Sequence, residues 1–376
     1  MDFPLYFRSR QGEMIALLKK MTALESPTDD KSAVDACAAF VAGEFKKAGG
    51  KVSILPQKDI GDFVCVECAP GRARDAEDEI LVLTHIDTVW PVGKIVKMPF
   101  YISGDKIFGP GVLDMKGGLT MLLAALAAMR SLNLKTRKRI TVFINSSEEM
   151  SHRAAHEVIR RLAKKASLVL CLEPAMPGGG LKLERKGRLV ARLEAHGKSA
   201  HAGTPDKGVN AIEEILSQLQ RLRRIRTGET TVNIGLIGGG EKASVVPEQA
   251  WAELDIRFWK SRDKERIVSL LKELEPIQRG ARIKAVVESS TPPMEITKAS
   301  ARLFNEVREI AAASGVTLKG GRTGGGSDAS IAAGMGVPTL DGLGPDGDGI
   351  HAESEHLLLS SLTERTALLT RLLTEL

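Results

Sequence analysis

Three short apolar runs in this 376-residue chain each end in side chains that bind metal ions. Residues 80–84 lead into His85-Ile86-Asp87, residues 140–145 into Glu148-Glu149, and residues 168–172 into Glu173. Asp114 follows Gly109-Pro110-Gly111-Val112-Leu113, and His351 sits in a glycine-rich loop before the last helical pattern. Imidazole nitrogen and carboxylate oxygen together form a zinc-type donor set, and two imidazoles with this many carboxylates are enough for two ions. Asp87 stands two residues beyond His85. In an extended segment it points to the same side, where it can accept the other ring N–H and fix the metal-binding tautomer. Of the neighbours Glu148 and Glu149, one is expected to ligate and the other to act as a general base on water.

These groups need a scaffold that brings strand ends together. The runs 80–83, 140–144 and 168–172 have the unbroken apolar character of strands buried on both faces. A small-residue helix is expected over 117–132 and a charged amphipathic one over 152–165, so strands alternate with helices as in a mainly parallel α/β sheet, whose sites form at the strands' carboxyl ends. Helical patterns at 13–24 and 31–48 precede it. From about residue 185 the order becomes strand 188–196, helix 208–225, strand 230–237, strand 250–258, helix 263–274 and strand 282–288, a ferredoxin-like βαββαβ insert. The expected division is a catalytic α/β domain over 1–184 and 293–376, completed by a helix at 300–314, a strand at 337–340 and a helix from 360, with the insert over 185–292.

Composition excludes several classes. Hydrophobic residues make up 43% and charged residues 27%, which is ordinary globular usage, and the net charge of +6 is spread along the chain rather than clustered as in nucleic-acid binders. The basic runs 137–139 and 221–226 lack the aromatics that stack bases, so they read as solvated faces. The glycine-rich 320–327 segment lacks the P-loop lysine. The longest apolar stretch, 119–129, is short of the roughly 20 residues a bilayer needs, and no secretory leader is apparent, so no membrane association and a cytoplasmic location are expected. Cys65-x-x-Cys68 has no second pair and lies in a strand-like run, which makes it structural. His152 and His156, four residues apart, carry Arg153 where the zincin motif needs its glutamate, and read as surface residues.

The motifs, in order, are Thr84-His85-Ile86-Asp87-Thr88-Val89-Trp90-Pro91, Gly109-Pro110-Gly111-Val112-Leu113-Asp114-Met115-Lys116-Gly117-Gly118, Glu148-Glu149, Glu173-Pro174, His196-Gly197-Lys198-Ser199-Ala200-His201-Ala202-Gly203, Asp255-Ile256-Arg257 and Arg322-Thr323-Gly324-Gly325-Gly326-Ser327-Asp328. Over nearly its whole length the chain resembles the M20 family of dinuclear zinc peptidases and amidohydrolases, and within it the glutamate carboxypeptidase branch. The resemblance implies that Asp114 bridges two zinc ions, one also held by His85 and Glu173, the other by Glu149 and His351, with cobalt or manganese as substitutes. It implies Glu148 as the general base and His201 as a stabiliser of the oxyanion, Arg257 and Arg322 as a substrate-carboxylate clamp, a homodimer through the insert, and a cis peptide after Asp114. The substrate would be a small peptide or N-acyl amino acid, cleaved to release a C-terminal residue such as glutamate. An aminoacylase of the same fold is the nearest alternative, and a non-catalytic binding protein is disfavoured by the intact ligand set. Ser147, Met150-Ser151-His152 and Ser244 depart from the usual family residues beside the base and at a substrate contact, which bears on substrate choice.

Overall fold

A computed structural model of the protein describes residues 2–68 and 79–376. It divides into two compact units. The first comprises Met1–Leu183, Ile296–Arg322 and Ser327–Leu376, and the second Glu184–Glu295 with Thr323–Gly326.

The first unit is built on a six-stranded sheet in the order Lys51–Leu55, Phe63–Cys68, Arg139–Asn145, Glu79–His85, Leu168–Cys171, Thr339–Leu340. The last four strands are parallel and the first two are joined antiparallel, so the sheet is mixed and mainly parallel. Every residue of Glu79–His85 is buried, as expected for a central strand covered on both faces. Ile80, Val82, Ile140, Val142, Leu168 and Leu170 share one core with the helices Gln11–Ala23, Lys31–Lys47, Gly117–Ser131, Lys298–Ala312 and Leu359–Glu375. The run Val112–Ser131 is long and apolar enough to cross a membrane by length and composition, but 89% of its window is buried inside the protein. Half-buried Cys65 and buried Cys68 lie in the strand Phe63–Cys68, where burial pushes their thiol pKa values up to about 11 and 12, the state of inert thiols.

A separate small sheet pairs Gly347–Asp348, His356–Leu358, Lys106–Phe108 and Tyr101–Ser103 in that order. It fastens the loop carrying His351 beside the segment leading to Asp114. Its strands are two or three residues long, too short for an apolar alternation to announce them.

The second unit is a four-stranded antiparallel sheet, ordered Thr231–Gly239, Gln249–Phe258, Gly187–His196, Arg282–Thr291. Gly187–His196 and Gln249–Phe258 alternate strictly between buried and half-exposed positions, so one face packs on the helices Ala211–Arg223 and Ser261–Lys272 through Leu189, Leu193, Leu254, Ile256, Ile215, Leu219 and Ile267. Strand order and connectivity are those of a ferredoxin-like module. Thr323–Gly326, which the sequence placed with the catalytic domain, groups with this unit. Its carbonyls are held there by guanidinium groups: Arg257 donates to Gly324 at 3.2 Å, and Arg185 to Gly325 and Gly326 at 3.2 and 2.8 Å.

His156 is a second correction. It faces inward from the helix Arg153–Ala163 together with Ala155, Ile159 and Ala163 and is 8% exposed, because the amphipathic face that includes it packs on the interior of the first unit. Burial first, then the neighbouring Arg160 charge, lowers its pKa to about 4. The unfolded chain therefore binds a proton between pH about 6.5 and 4 that the folded chain does not, and stability falls as the pH drops through that window. Chemical denaturation of wild type and His156→Gln at both ends of the window is expected to show wild type losing about 2 kcal/mol more than the variant; parallel losses would remove His156 from the acid sensitivity.

Arg365 supplies another prediction. Its guanidinium is buried and donates to the carbonyls of Gly179 at 2.7 Å, Gly342 at 2.6 Å, and Gly344. Arg365→Met fills the space but orphans three acceptors, and at about 1–3 kcal/mol for each unsatisfied group the unfolding free energy should drop by about 3 kcal/mol or more. An unchanged midpoint in urea would show that water replaces the guanidinium.

Candidate metal centre

Parallel pairing places the strand ends in one crevice. His85 is paired in register with Asn145 at the end of the neighbouring strand, and Glu148-Glu149 follow three residues later. Asn145 folds the connection, since its Oδ1 accepts from the Ser147 backbone N–H at 2.9 Å and from the Ser147 hydroxyl at 3.1 Å. The turn closes with Ser151 N–H donating to the Glu148 carbonyl at 2.8 Å, with Ser151 in the left-handed region. Ser147 and Ser151 thus shape the loop that presents the glutamates.

Two clusters meet at Asp114. His85 Nε2 lies 3.2 Å from Asp114 Oδ1 and 3.5 Å from Glu173 Oε1. His351 Nε2 lies 3.2 Å from Glu149 and 3.5 Å from Asp114 Oδ2. The two Asp114 oxygens therefore face different imidazoles, the arrangement a bridging carboxylate requires. Ligand atoms of His85, Glu148 and Glu173 lie within 4.8 Å of one another, as do those of His85, Asp114 and Glu149. Nitrogen and carboxylate donors at this separation suit zinc or a similar divalent ion. His351 has φ of 60°, which aims its ring from a tight turn, and the Asp114–Met115 peptide is cis.

Burial opposes charge on His85, but its bonds with Asp114, Asp87 and Glu173 carry its pKa well above the ordinary value. Burial foremost, and Glu173 next, pushes the Glu148 carboxyl well above the usual range, as suits a group that must both take and give a proton.

Asp87 takes a further part beside the one its spacing predicts. His85 Nδ1 meets the Asp87 backbone carbonyl at 3.0 Å, while the carboxylate stands back at 3.4 Å. That carboxylate accepts instead from the backbone N–H groups of Glu148 and Glu149, each at 3.1 Å, and from the Thr28 hydroxyl at 2.8 Å. Asp87 thus orients the glutamate pair as well as the imidazole. Two buried acids near the site have no role assigned by the sequence, although Asp328 closes one of the motifs. Asp328, which accepts from Asn145 Nδ2 at 2.8 Å, is raised to about 7 by burial, and its only signal was its place after the glycine-rich segment. Glu355 has no signal beyond standing four residues after His351.

The remaining expected site residues lie elsewhere. His201 and Ser244 adjoin each other in the second unit, joined by a bridge between His201 and Val245 and by Ala202 N–H donating to the Ser244 carbonyl at 3.0 Å. Arg257, also in that unit, grips Asp255 through Nε at 3.0 Å and Nη2 at 3.4 Å. Arg322 is exposed in the first unit.

Residues 81–375 match the description Peptidase family M20/M25/M40. The chain belongs to this family. It is 28% identical to carboxypeptidase G2 of Pseudomonas sp. (strain RS-16), over 97% of this chain and 90% of that protein. It is 27% identical to a succinyl-diaminopimelate desuccinylase of Orientia tsutsugamushi (strain Boryong), over 69% of this chain and 70% of that protein. Among solved structures it resembles aminopeptidase PepT of Bacillus cereus, with a TM-score of 0.79 at 22% identity over 96% of this chain and 98% of that one. A dinuclear metal-binding M20 peptidase of Bacillus subtilis gives 0.73 at 14% identity, over 97% and 98%. The protein is thus an M20 metallopeptidase or amidohydrolase with the family's α/β fold.

Proposed function

We propose that this M20 enzyme is a zinc-dependent exopeptidase that releases a C-terminal amino acid, glutamate above all, from small peptides or N-acyl conjugates. The observation that carries the metal part is the sharing of Asp114 between two His-carboxylate clusters, in which His85 and Glu173 would hold one ion and Glu149 and His351 the other. Near full-length similarity to carboxypeptidase G2 supports the substrate class.

When bound, the pair of divalent ions supplies Lewis-acid polarisation and acidifies water. Glu148 takes the proton from the attacking water at its carboxylate and returns it to the leaving amine nitrogen. Asp87 holds the Glu148 backbone so that the carboxylate returns to one place. His201 accepts the Gly203 N–H at Nδ1, which leaves its Nε2 protonated and able to donate to a developing oxyanion. Ser244, next to it, contacts substrate. Arg257 spends three N–H groups on Asp255 and Gly324 and retains two of the five a guanidinium carries, enough to grip a carboxylate, and Arg322 is assigned to substrate binding as well.

A homodimer through the second unit forms part of the proposal. Thr231–Gly239 is an edge strand with Leu236 and Ile237 exposed, a surface that invites pairing with a second copy.

Amine release by the zinc-loaded protein, with a chelated control, across glutamate conjugates, dipeptides and N-acetyl or N-succinyl amino acids tests the reading. Cleavage confined to C-terminal glutamate conjugates is expected. Preference for simple N-acyl amino acids would move the enzyme to the aminoacylase and desuccinylase side, which its desuccinylase relatives favour, and no zinc-dependent release would end the proposal.

A further inference from the structure

Glu355 is a buried carboxylate, 1% exposed, with no cation among its hydrogen-bond partners. Its Oε1 accepts from the backbone N–H of Leu113 at 2.9 Å and of Asp114 at 3.2 Å; its Oε2 accepts from the backbone N–H of Gly111 at 3.0 Å and from Trp90 Nε1 at 2.8 Å. Three consecutive-turn amides therefore close around one anion at the point where the chain delivers Asp114, in the manner of a backbone nest. The fourth donor, Trp90, lies three residues beyond Asp87 on the strap that leaves the His85 strand.

The carboxylate is also tied to His351 through its own chain. Ala352 N–H donates to the Gly349 carbonyl at 2.8 Å and Glu355 N–H to the Ala352 carbonyl at 2.9 Å, so residues 349–355 form two successive tight turns. Gly349, at φ of 80°, approaches Ser354 so closely that a Cβ there would lie 2.7 Å from the Ser354 carbonyl carbon. His351, at φ of 60°, is the third residue of the first of these turns. A loop this tight cannot move His351 without moving Glu355.

We infer that Glu355 is a positioning residue that locks the shared ligand Asp114 and the ligand His351 into one geometry, so that both metal positions depend on a side chain that touches neither ion. The inference rests on the dinuclear reading of the centre. Both ions share Asp114, so a displaced Asp114 weakens both sites together, and outer partners of metal ligands typically account for about 10–100-fold in affinity. Glutamine at 355 keeps the shape but turns an NH2 group toward N–H donors, while aspartate is one carbon too short to meet all four.

The experiment measures zinc affinity of the full chain by competition with a chromophoric chelator for wild type, Glu355→Gln, Glu355→Asp and Glu355→Ala, with far-UV circular dichroism of each metal-free protein at the same temperature. Wild type is expected to bind two ions. Folded Glu355→Gln and Glu355→Asp are expected to bind both more weakly, by roughly 10–100-fold, with occupancy recovered at excess zinc. Folded variants that bind two ions with wild-type affinity would overturn the positioning role even if their thermal midpoint dropped, because that result assigns Glu355 to stability alone. Loss of one site with the other intact would equally overturn the coupling through Asp114. A wild type that binds no pair of divalent ions would sink the dinuclear reading itself, and this inference with it. Should Glu355→Ala not fold, the two conservative variants decide.

Discussion

Replacing Glu148 with glutamine is expected to lower turnover by roughly 10²–10⁴-fold while the protein still carries two ions. Glutamine fills the same volume, and the backbone N–H that donates to Asp87 is untouched, so the loop should hold its shape. What disappears is the only oxygen in the proposed mechanism that accepts the water proton and later protonates the leaving nitrogen. Amine-release kinetics together with metal content by atomic absorption separate the possibilities. Because Glu148 lies close to His85 and Glu173, loss of one ion along with activity would reassign it as a ligand, and wild-type turnover would remove it from the reaction.

Asp114→Asn should act differently, abolishing activity by emptying the site. Its two oxygens serve two imidazoles on opposite sides, and an amide offers one neutral oxygen in place of a delocalised charge. The affinity for both ions should fall at least on the order of 100-fold, with turnover regained only in part at high zinc. Retention of a single tightly bound ion would show that the clusters are independent rather than shared.

Much of this centre is legible in the sequence because central parallel strands are apolar on both faces, so runs such as Ile80–Leu83 advertise themselves and the polar residues just beyond them stand out. The insert is legible for the complementary reason: strands with one wet face alternate, as Gly187–His196 does. Features set by contact rather than pattern are not. Glu355 looks like any surface glutamate until a two-residue strand pairing folds its loop against Gly111–Asp114, and Thr323–Gly326 looks like a catalytic-domain loop until two arginines claim its carbonyls. His156 sits among charged neighbours and reads as exposed, yet the inward face of its helix is only four residues wide in composition. Asp87 was read from its carboxylate alone, and spacing cannot reveal that its carbonyl meets the imidazole first.

The candidate ligands come from widely separated stretches of chain: His85, Asp114, Glu149 and Glu173 precede the whole second unit, and His351 follows it. At about 5–20 residues per second, a ribosome that has just made Glu173 needs about 10–35 s to reach His351. During that interval the nascent polypeptide would offer a divalent ion one half of the proposed centre, with one Asp114 oxygen lacking its imidazole partner. The contiguous insert can fold meanwhile, but a centre that shares Asp114 between two imidazoles is complete only once His351 has been made, so the order of translation sets when a second ion could first be captured.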